Sequence, residues 1–499
     1  VPAEPARPAD RENAAVPRPG TLVAVLAMSG IVVSLMQTFI IPLVPELPRL
    51  LDASVSDTSW AVTATLLAAA VATPTMGRLG DMYGKRRMLL ISLSTLVAGS
   101  VLCAVSDSVA VLVAGRALQG LSAGVIPLGI SIMRDELPAE RLASATALMS
   151  ASLGVGGALG LPAAAFLAES TDWHVLFWTA AGFGAVAALL VGTVVPESSR
   201  RTGGRFDLVG ALGLSVALVC LLLAISKGAD WGWGSVPTTG LFAVAVVVLA
   251  VWGRWELRTA RPLVDLRVAA RRQVLVTNAA STVFGFAMFA MSLVLPQLLQ
   301  LPVATGYGLG QTMLVVGLVM APSGLVMMAM SPVCARISAA RGPKATLMVG
   351  AFVVACGYGL TMALMSEVWH LVAVSCVIGA GIGLSYGAMP ALVMAAVPVS
   401  ETAAANSLNT LMRSVGTSVS SAVVGAVLAQ MTVSLGGAAL PSQAGLRVVM
   451  GIGVVTALAA LALALLLPGT RSTSARTRDT AERSGARAGR EKPAPASSG

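Results

Sequence analysis

The sequence predicts an all-α polytopic membrane protein, two six-helix repeats with an inserted pair of helices, fourteen spans in all. Three observations carry this. The 499-residue chain is 56% hydrophobic and only 11% charged, with a mean hydropathy of +0.83, and a soluble core could not hide that much apolar surface. The apolar residues gather in runs near the ~20 residues that cross a bilayer as a helix. The cations fall in alternate connections between those runs. A net charge of +10 distributed in this way is a topological signal, so no nucleic-acid partner is expected.

Residues 1–20 are rich in Pro, Arg and Glu and contain no separate apolar region; they read as a disordered N-tail. No cleavable signal peptide is visible, so the first spanning helix is expected to direct insertion. Apolar runs at 21–44, 58–76, 88–106, 108–133, 142–168 and 175–196 give the first six spans. Two more follow at 208–226 and 236–253, and six at 274–300, 310–334, 346–366, 370–396, 402–430 and 445–468. The implied units are an N-terminal bundle (21–196), a linker (197–273), a C-terminal bundle (274–468) and a disordered basic tail (469–499). Within the linker, 254–273 mixes basic and apolar residues around Pro262, which predicts a short interfacial helix.

Orientation follows from the arginines. One set of connections carries Arg78 and Lys85–Arg87, Arg134 and Arg141, Arg200 to Arg205, Arg254 to Arg272, and Arg336 to Lys344; the opposite set carries only Arg49, Lys227 and Arg447. The first set, with both termini, is expected in the cytoplasm; of its turns only 397–401 lacks a cation. Cys103, Cys220, Cys334, Cys356 and Cys376 fall in apolar runs at unrelated spacings and read as small buried hydrophobes. His174 and His370 lie far apart at outer edges, so neither a metal, a cofactor nor an enzyme active site is expected. The excess of Arg over Lys and the abundance of Ala, Gly, Val and Pro resemble a high-GC bacterial genome, hence a bacterial inner membrane.

The repeat is ordered. Gly120-Leu121-Ser122-Ala123-Gly124-Val125-Ile126-Pro127 recurs 263 residues on as Gly383-Leu384-Ser385-Tyr386-Gly387-Ala388-Met389-Pro390. Pro138-Ala139-Glu140 recurs as Pro398-Val399-Ser400-Glu401, and a decayed loop, Arg341-Gly342-Pro343-Lys344, places its glycine 258 after Gly84. Three matches in one order at nearly one offset argue for a duplicated six-helix unit.

The most specific stretch is Gly77-Arg78-Leu79-Gly80-Asp81-Met82-Tyr83-Gly84-Lys85-Arg86-Arg87, a tight connection between the second and third spans in which Gly84 allows a positive φ. Its pattern, G-x-L-x-D-x-x-G-[RK]-[RK], resembles the signature loop of the major facilitator superfamily. Arg116-Ala117-Leu118-Gln119-Gly120, with Ala123 and Gly124, resembles that superfamily's R-x-x-Q-G motif, and Trp60-Ala61-Val62-Thr63-Ala64-Thr65-Leu66, Asp230-Trp231-Gly232-Trp233 and Pro296-Gln297-Leu298-Leu299-Gln300 are similar to motifs of its fourteen-helix drug:proton antiporter branch. The resemblance covers about 21–468. It implies alternating access by a monomer with an inner gate at Gly77, Asp81, Gly84, Lys85 and Arg86. It also implies a cavity lined by Met36, Gln37, Arg116, Gln119, Asn278, Phe284, Met291 and Tyr386.

Two departures stand out. The branch carries an acid in its first helix, in an L-D-x-T pattern; here Leu35-Met36-Gln37-Thr38 has methionine instead. The fifth-helix motif reads Gly156-Gly157-Ala158-Leu159-Gly160-Leu161-Pro162-Ala163-Ala164-Ala165, with the proline displaced by one and alanines for the last glycines. Gly156, Gly160 and Pro162 still make a small-residue face for close helix packing. No carboxylate falls near a helix centre, whereas Arg116 and Arg413 lie inside spans, where an ionisable group is costly and functional by default. Either arginine could instead clamp a neighbour's carbonyls. Proton transfer would then need a carboxylate nearer an end, Asp57 outside or Asp81 or Asp135 inside, or one on the substrate, because arginine does not give up its proton.

The expected function is secondary export of an apolar organic compound, an antibiotic or other natural product, coupled to protons as the resemblance implies. The cargo is expected to be neutral or anionic and paired with Arg116. An uptake carrier for a small metabolite is the alternative, and a transporter-derived sensor or scaffold a second one of another class.

Overall fold

In a computed structural model, residues 19–467 are described except 42, 45, 198–200, 202 and 436–437. Most of the expected N-tail and all of the basic C-tail lie outside the described residues. Among the described residues, fourteen helices are long and apolar enough to span a bilayer. They are α1 Pro19–Thr38, α2 Trp60–Tyr83, α3 Lys85–Ala104, α4 Val109–Glu136, α5 Ala139–Leu167, α6 His174–Val194, α7 Leu208–Gly228, α8 Val236–Arg258, α9 Arg272–Gln300, α10 Met313–Arg341, α11 Pro343–Ala363, α12 Val368–Met394, α13 Val399–Gln430 and α14 Gln443–Leu465. Short polar caps start several of them: Asp207 accepts from the Gly210 amide at 2.8 Å, and Ser442 from Gly445 at 3.0 Å, each satisfying an amide the helix leaves open.

Local chemistry explains where the helices depart from plain rods. α10 runs seven residues beyond its expected end, and bends at Met330, because Pro332 sits in the first turn of its second segment, Ser331–Arg341. A proline there removes only an amide that needs no partner. α4 carries a 3₁₀ turn at Leu121–Gly124, whereas the repeated sequence at Gly383–Pro390 continues unbroken through α12. In both copies the glycines seat a neighbouring helix: Gly120 and Gly124 meet Thr65 and Met76 of α2, and Gly383 and Gly387 meet Met327 and Cys334 of α10. The segment 254–273 holds one helical turn, Leu266–Ala269, capped by Asp265. Cys356, expected in a buried site, is exposed on α11, because helices in lipid keep an outward apolar face.

Among the described residues two large hydrophobic cores form, one almost wholly from residues 22–195 and the other almost wholly from 280–467. α7 spans the seam between them, packing Leu214, Leu218 and Leu222 with Ala70 of α2 and Leu411 of α13. Lys227 of α7 donates to Ser59 and to Asp230 (3.3 Å) and lies 5.5 Å over the Trp60 ring. α8 stands outside, with Val244, Val246, Val247 and Val251 exposed. Between α13 and α14 a hairpin pairs β1 (Thr432–Leu435) with β2 (Ala438–Pro441), and Tyr307 donates to Pro441 O at 2.6 Å. The Gly436-Gly437 pair was the available sequence signal for it.

The turns at Gly84 and Gly342 both have positive φ, 115° and 85°, and lie on one face, called here the turn face. The cations two residues later behave alike. Arg86 donates to Gly192 O near the end of α6; Lys344 donates to Leu465 O (2.9 Å) and Leu467 O (2.5 Å) at the end of α14. Each thus caps the carbonyl end of the last helix in its core, where a positive charge is favoured. Lys344→Met is expected to cost about 1–2 kcal/mol, read as a melting temperature several degrees lower in detergent, and Arg86→Met should cost the same order.

Candidate functional site

The turn face is where the two cores lock together. Asp81, at the last turn of α2, is fully buried. Its carboxylate accepts from the Ala403 and Ala404 amides at 3.3 and 2.9 Å, the open amides that begin the α-helical part of α13. Lys85 Nζ lies 3.8 Å from Asp81 and 2.7 Å from Asp135. Gly77 is needed because α13 comes close: a Cβ there would sit 2.6 Å from Ser407 Cβ and 2.8 Å from Ala403 O. Arg134 completes the lock by donating to Thr402 Oγ1 (2.6 Å), Met394 O (2.8 Å) and Val397 O (3.2 Å). All five expected gate residues therefore fall in or beside one seam, with Arg86 turned aside to α6. Sequence reasoning missed Arg134, which reads as one more loop cation until the Pro398–Thr402 turn is brought against it.

Arg116 sits at the other end of the first core and is 2% exposed. Its Nε donates to Ala61 O (3.3 Å), and its Nη1 to Met36 O (3.4 Å) and Gln119 Oε1 (2.6 Å). Gln119 passes the chain on to Ser100 at 2.8 Å. One guanidinium thus ties α1, α2 and α4, and through Gln119 α3, using carbonyls in place of a carboxylate. This is the clamp geometry, and it leaves Arg116 sealed from a cargo in this conformation.

The small-residue face of α5 also works at a seam. A Cβ on Gly156 would sit 2.7 Å from Leu35 N of α1, and one on Gly160 3.2 Å from Leu35 O. On the other flank, a Cβ on Gly317 of α10 would lie 2.8 Å from Pro162 N. α5 is squeezed between α1 of its own core and α10 of the other.

In the second core, Asn409 of α13 donates to Asn278 Oδ1 (3.0 Å) and Ser281 Oγ (2.6 Å) of α9. One turn on, the Arg413 guanidinium lies 4.6 Å from the centroid of the Tyr386 ring of α12. Met36, Gln119, Asn278, Phe284, Met291 and Tyr386, expected to line a cavity, are all buried here, as is Arg116. Gln37 is exposed and Arg413 part-buried. A cavity of about 230 Å³ opens instead on the turn face, between Arg78, Arg261, Pro262 and Ala404; none of the expected lining residues reaches it.

Comparison with known proteins agrees with this architecture. The model of the Major Facilitator Superfamily matches residues 26–421. The chain is 29% identical over 392 residues to multidrug resistance protein Stp of Mycobacterium tuberculosis (strain CDC 1551 / Oshkosh), covering 77% of this chain and 71% of that protein. It is 32% identical over 252 residues to the tetracenomycin C resistance and export protein of Streptomyces glaucescens, covering 50% and 47%. Among solved structures, the human organic anion transporter MFSD10 (TETRAN) superposes with a TM-score of 0.62 at 18% identity, over 89% of this chain and 100% of that one; at that identity the likeness speaks for the fold alone.

Two outcomes follow from the geometry. Asp81→Asn keeps the shape and removes the charge. It should leave yield unchanged while a cysteine at Ser407, sealed beneath Gly77, becomes about ten-fold more reactive to a maleimide, the loss of one charge-assisted contact. Arg116→Met strands the Gln119 oxygen and two carbonyls and should destabilise the solubilised protein by about 1–3 kcal/mol, seen as a lower melting temperature.

Proposed function

The chain belongs to the major facilitator superfamily, and from that premise we propose that it exports apolar organic compounds of the antibiotic or natural-product kind. It is a carrier and not an enzyme. The observation that carries the reading is the turn-face lock: two cores joined at one face by a carboxylate on helix amides and an arginine on a loop. Such polar contacts can be exchanged for water when the face opens, which a carrier that alternates its access needs. The names of the Stp and tetracenomycin C relatives support export over uptake.

In this reading the turn face is cytoplasmic, with both termini, because the cationic connections lie there. The protein is a monomer in a bacterial inner membrane. Protons are the coupling ion, and Asp81 and Asp135, meeting at Lys85, are the carboxylates placed to sense the lock. Asp57, the outer candidate, is exposed and bonded to Ser54 at 2.7 Å, away from either seam.

Everted vesicles test direction: an acid-interior gradient should drive uptake of a toxic apolar compound, and collapse of the gradient should stop it. Accumulation by intact cells instead would establish the uptake alternative. Topology is tested by a cysteine at Gly234, in the α7–α8 connection, which should react with an impermeant maleimide in intact spheroplasts; reaction only after lysis would invert the map.

A further inference from the structure

Of the two intramembrane arginines, only one is satisfied by the protein. Arg116 has its oxygens, as described above. Arg413 has none: among the described residues no carboxylate, carbonyl or hydroxyl accepts from its guanidinium, and its one partner is the face of the Tyr386 ring. Nor is a carboxylate within reach along the chain. From 272 to 467 the only acids are Glu367 and Glu401, both at helix ends rather than inside spans. A cation at this depth without a counter-ion is expensive.

Tyr386 adds an independent observation. Its side chain is fully buried, and its hydroxyl, sealed from solvent, has no hydrogen-bond partner among the described residues. Two donor groups, a guanidinium that can only donate and a phenol free to do so, thus meet at one place where no protein acceptor serves them. Donors of this kind suit an anion.

The site is also held in place. Gly285 of α9 brings its backbone against that of Arg413, so that a Cβ there would sit 3.0 Å from the Arg413 carbonyl carbon. A second glycine, Gly416, lets α13 meet Thr282 and Phe286 of the same helix. The Arg413 main chain is fixed between these contacts, its guanidinium is laid on an aromatic ring, and the residue is part-buried. A planar guanidinium fixed in this way suits bidentate recognition of a carboxylate.

We propose that Arg413 and Tyr386 form an anion subsite in the transport pathway, taking the carboxylate of an organic acid with an aromatic or otherwise flat apolar body. This rests on the export reading for its location in a pathway. It assigns the cargo's charge to Arg413, not to Arg116, and makes lipophilic cations poor ligands, because the guanidinium repels them.

Dansylglycine and its methyl ester, matched in all but the charge, test it by fluorescence titration of the purified protein. The acid should bind at least about ten-fold more tightly than the ester, as expected for a charge-assisted pair. Arg413→Gln should abolish that preference, and Arg413→Lys should keep part of it. Tyr386→Phe should weaken acid binding and leave ester binding alone. The melting temperature of Arg413→Gln should hold or rise, since an unpaired cation is removed; a clear fall would mark a structural clamp and overturn the proposal. Equal affinity for acid and ester, or no saturable binding of either, would overturn it as well. Failure of the export reading looks different: the acid binds with an Arg413-dependent preference, yet everted vesicles do not accumulate it.

Discussion

Close approach of backbones is the constraint on which this structure rests. Lipid tails are as apolar as leucine, so helices in a bilayer gain little by hiding leucines from them and hold together where their main chains come near. Glycines supply that nearness at each important seam. Gly156 and Gly160 seat α5 on α1, Gly317 seats α10 on Pro162, Gly285 and Gly416 join α9 to α13, and Gly77 lets α13 settle on α2. The hydrogen bonds of the turn face follow from this: Asp81 reaches the Ala403 and Ala404 amides only because Gly77, one turn before it, lets α13 come close.

Polar groups then decide what is rigid and what can move. Arg116 bonds within one core and binds helices that stay together. Asp81 and Arg134 bond between cores, to a helix start and a loop that can take water in their place. Buried ion pairs lend little net stability, since desolvation offsets their attraction, but losing one partner is costly. A lock built this way is specific without being permanent. α7 lies over the same seam, and Lys227 holds its far end to α2 through Ser59 and the Trp60 ring, so α7 is packed into the junction of the two cores while α8 stands outside it.

Much of this was legible in the sequence because the bilayer writes it there. A spanning helix must be long, apolar and bounded by charge, which makes all fourteen visible. The loop from Gly77 to Arg87 was legible because its glycines and charges each have a steric or electrostatic task. Less legible were contacts between residues far apart in the chain. Arg134 looked like a loop cation, and Arg116 like a ligand for cargo, until carbonyls of α1 and α2 proved to surround it. The 3₁₀ turn in α4 was not legible either, since the similar small-residue pattern at Gly383–Pro390 runs through α12 as unbroken helix. Arg413 was visible as a charge in the wrong place; that its guanidinium would lie on a ring with an idle hydroxyl was not.

The duplicated turn has one further consequence. Gly84 and Arg86 have working counterparts in Gly342 and Lys344, but the position matching Asp81 is Ala339. The two repeats have kept the same brace and only one has kept the bolt. Because both turns lie on one face, a second acid would have strengthened the same closure; the single charged bolt at Asp81 deepens the well in which that face is shut. Each 1.4 kcal/mol of that depth is about a ten-fold excess of shut molecules. To open the turn face, that one bolt has to be drawn.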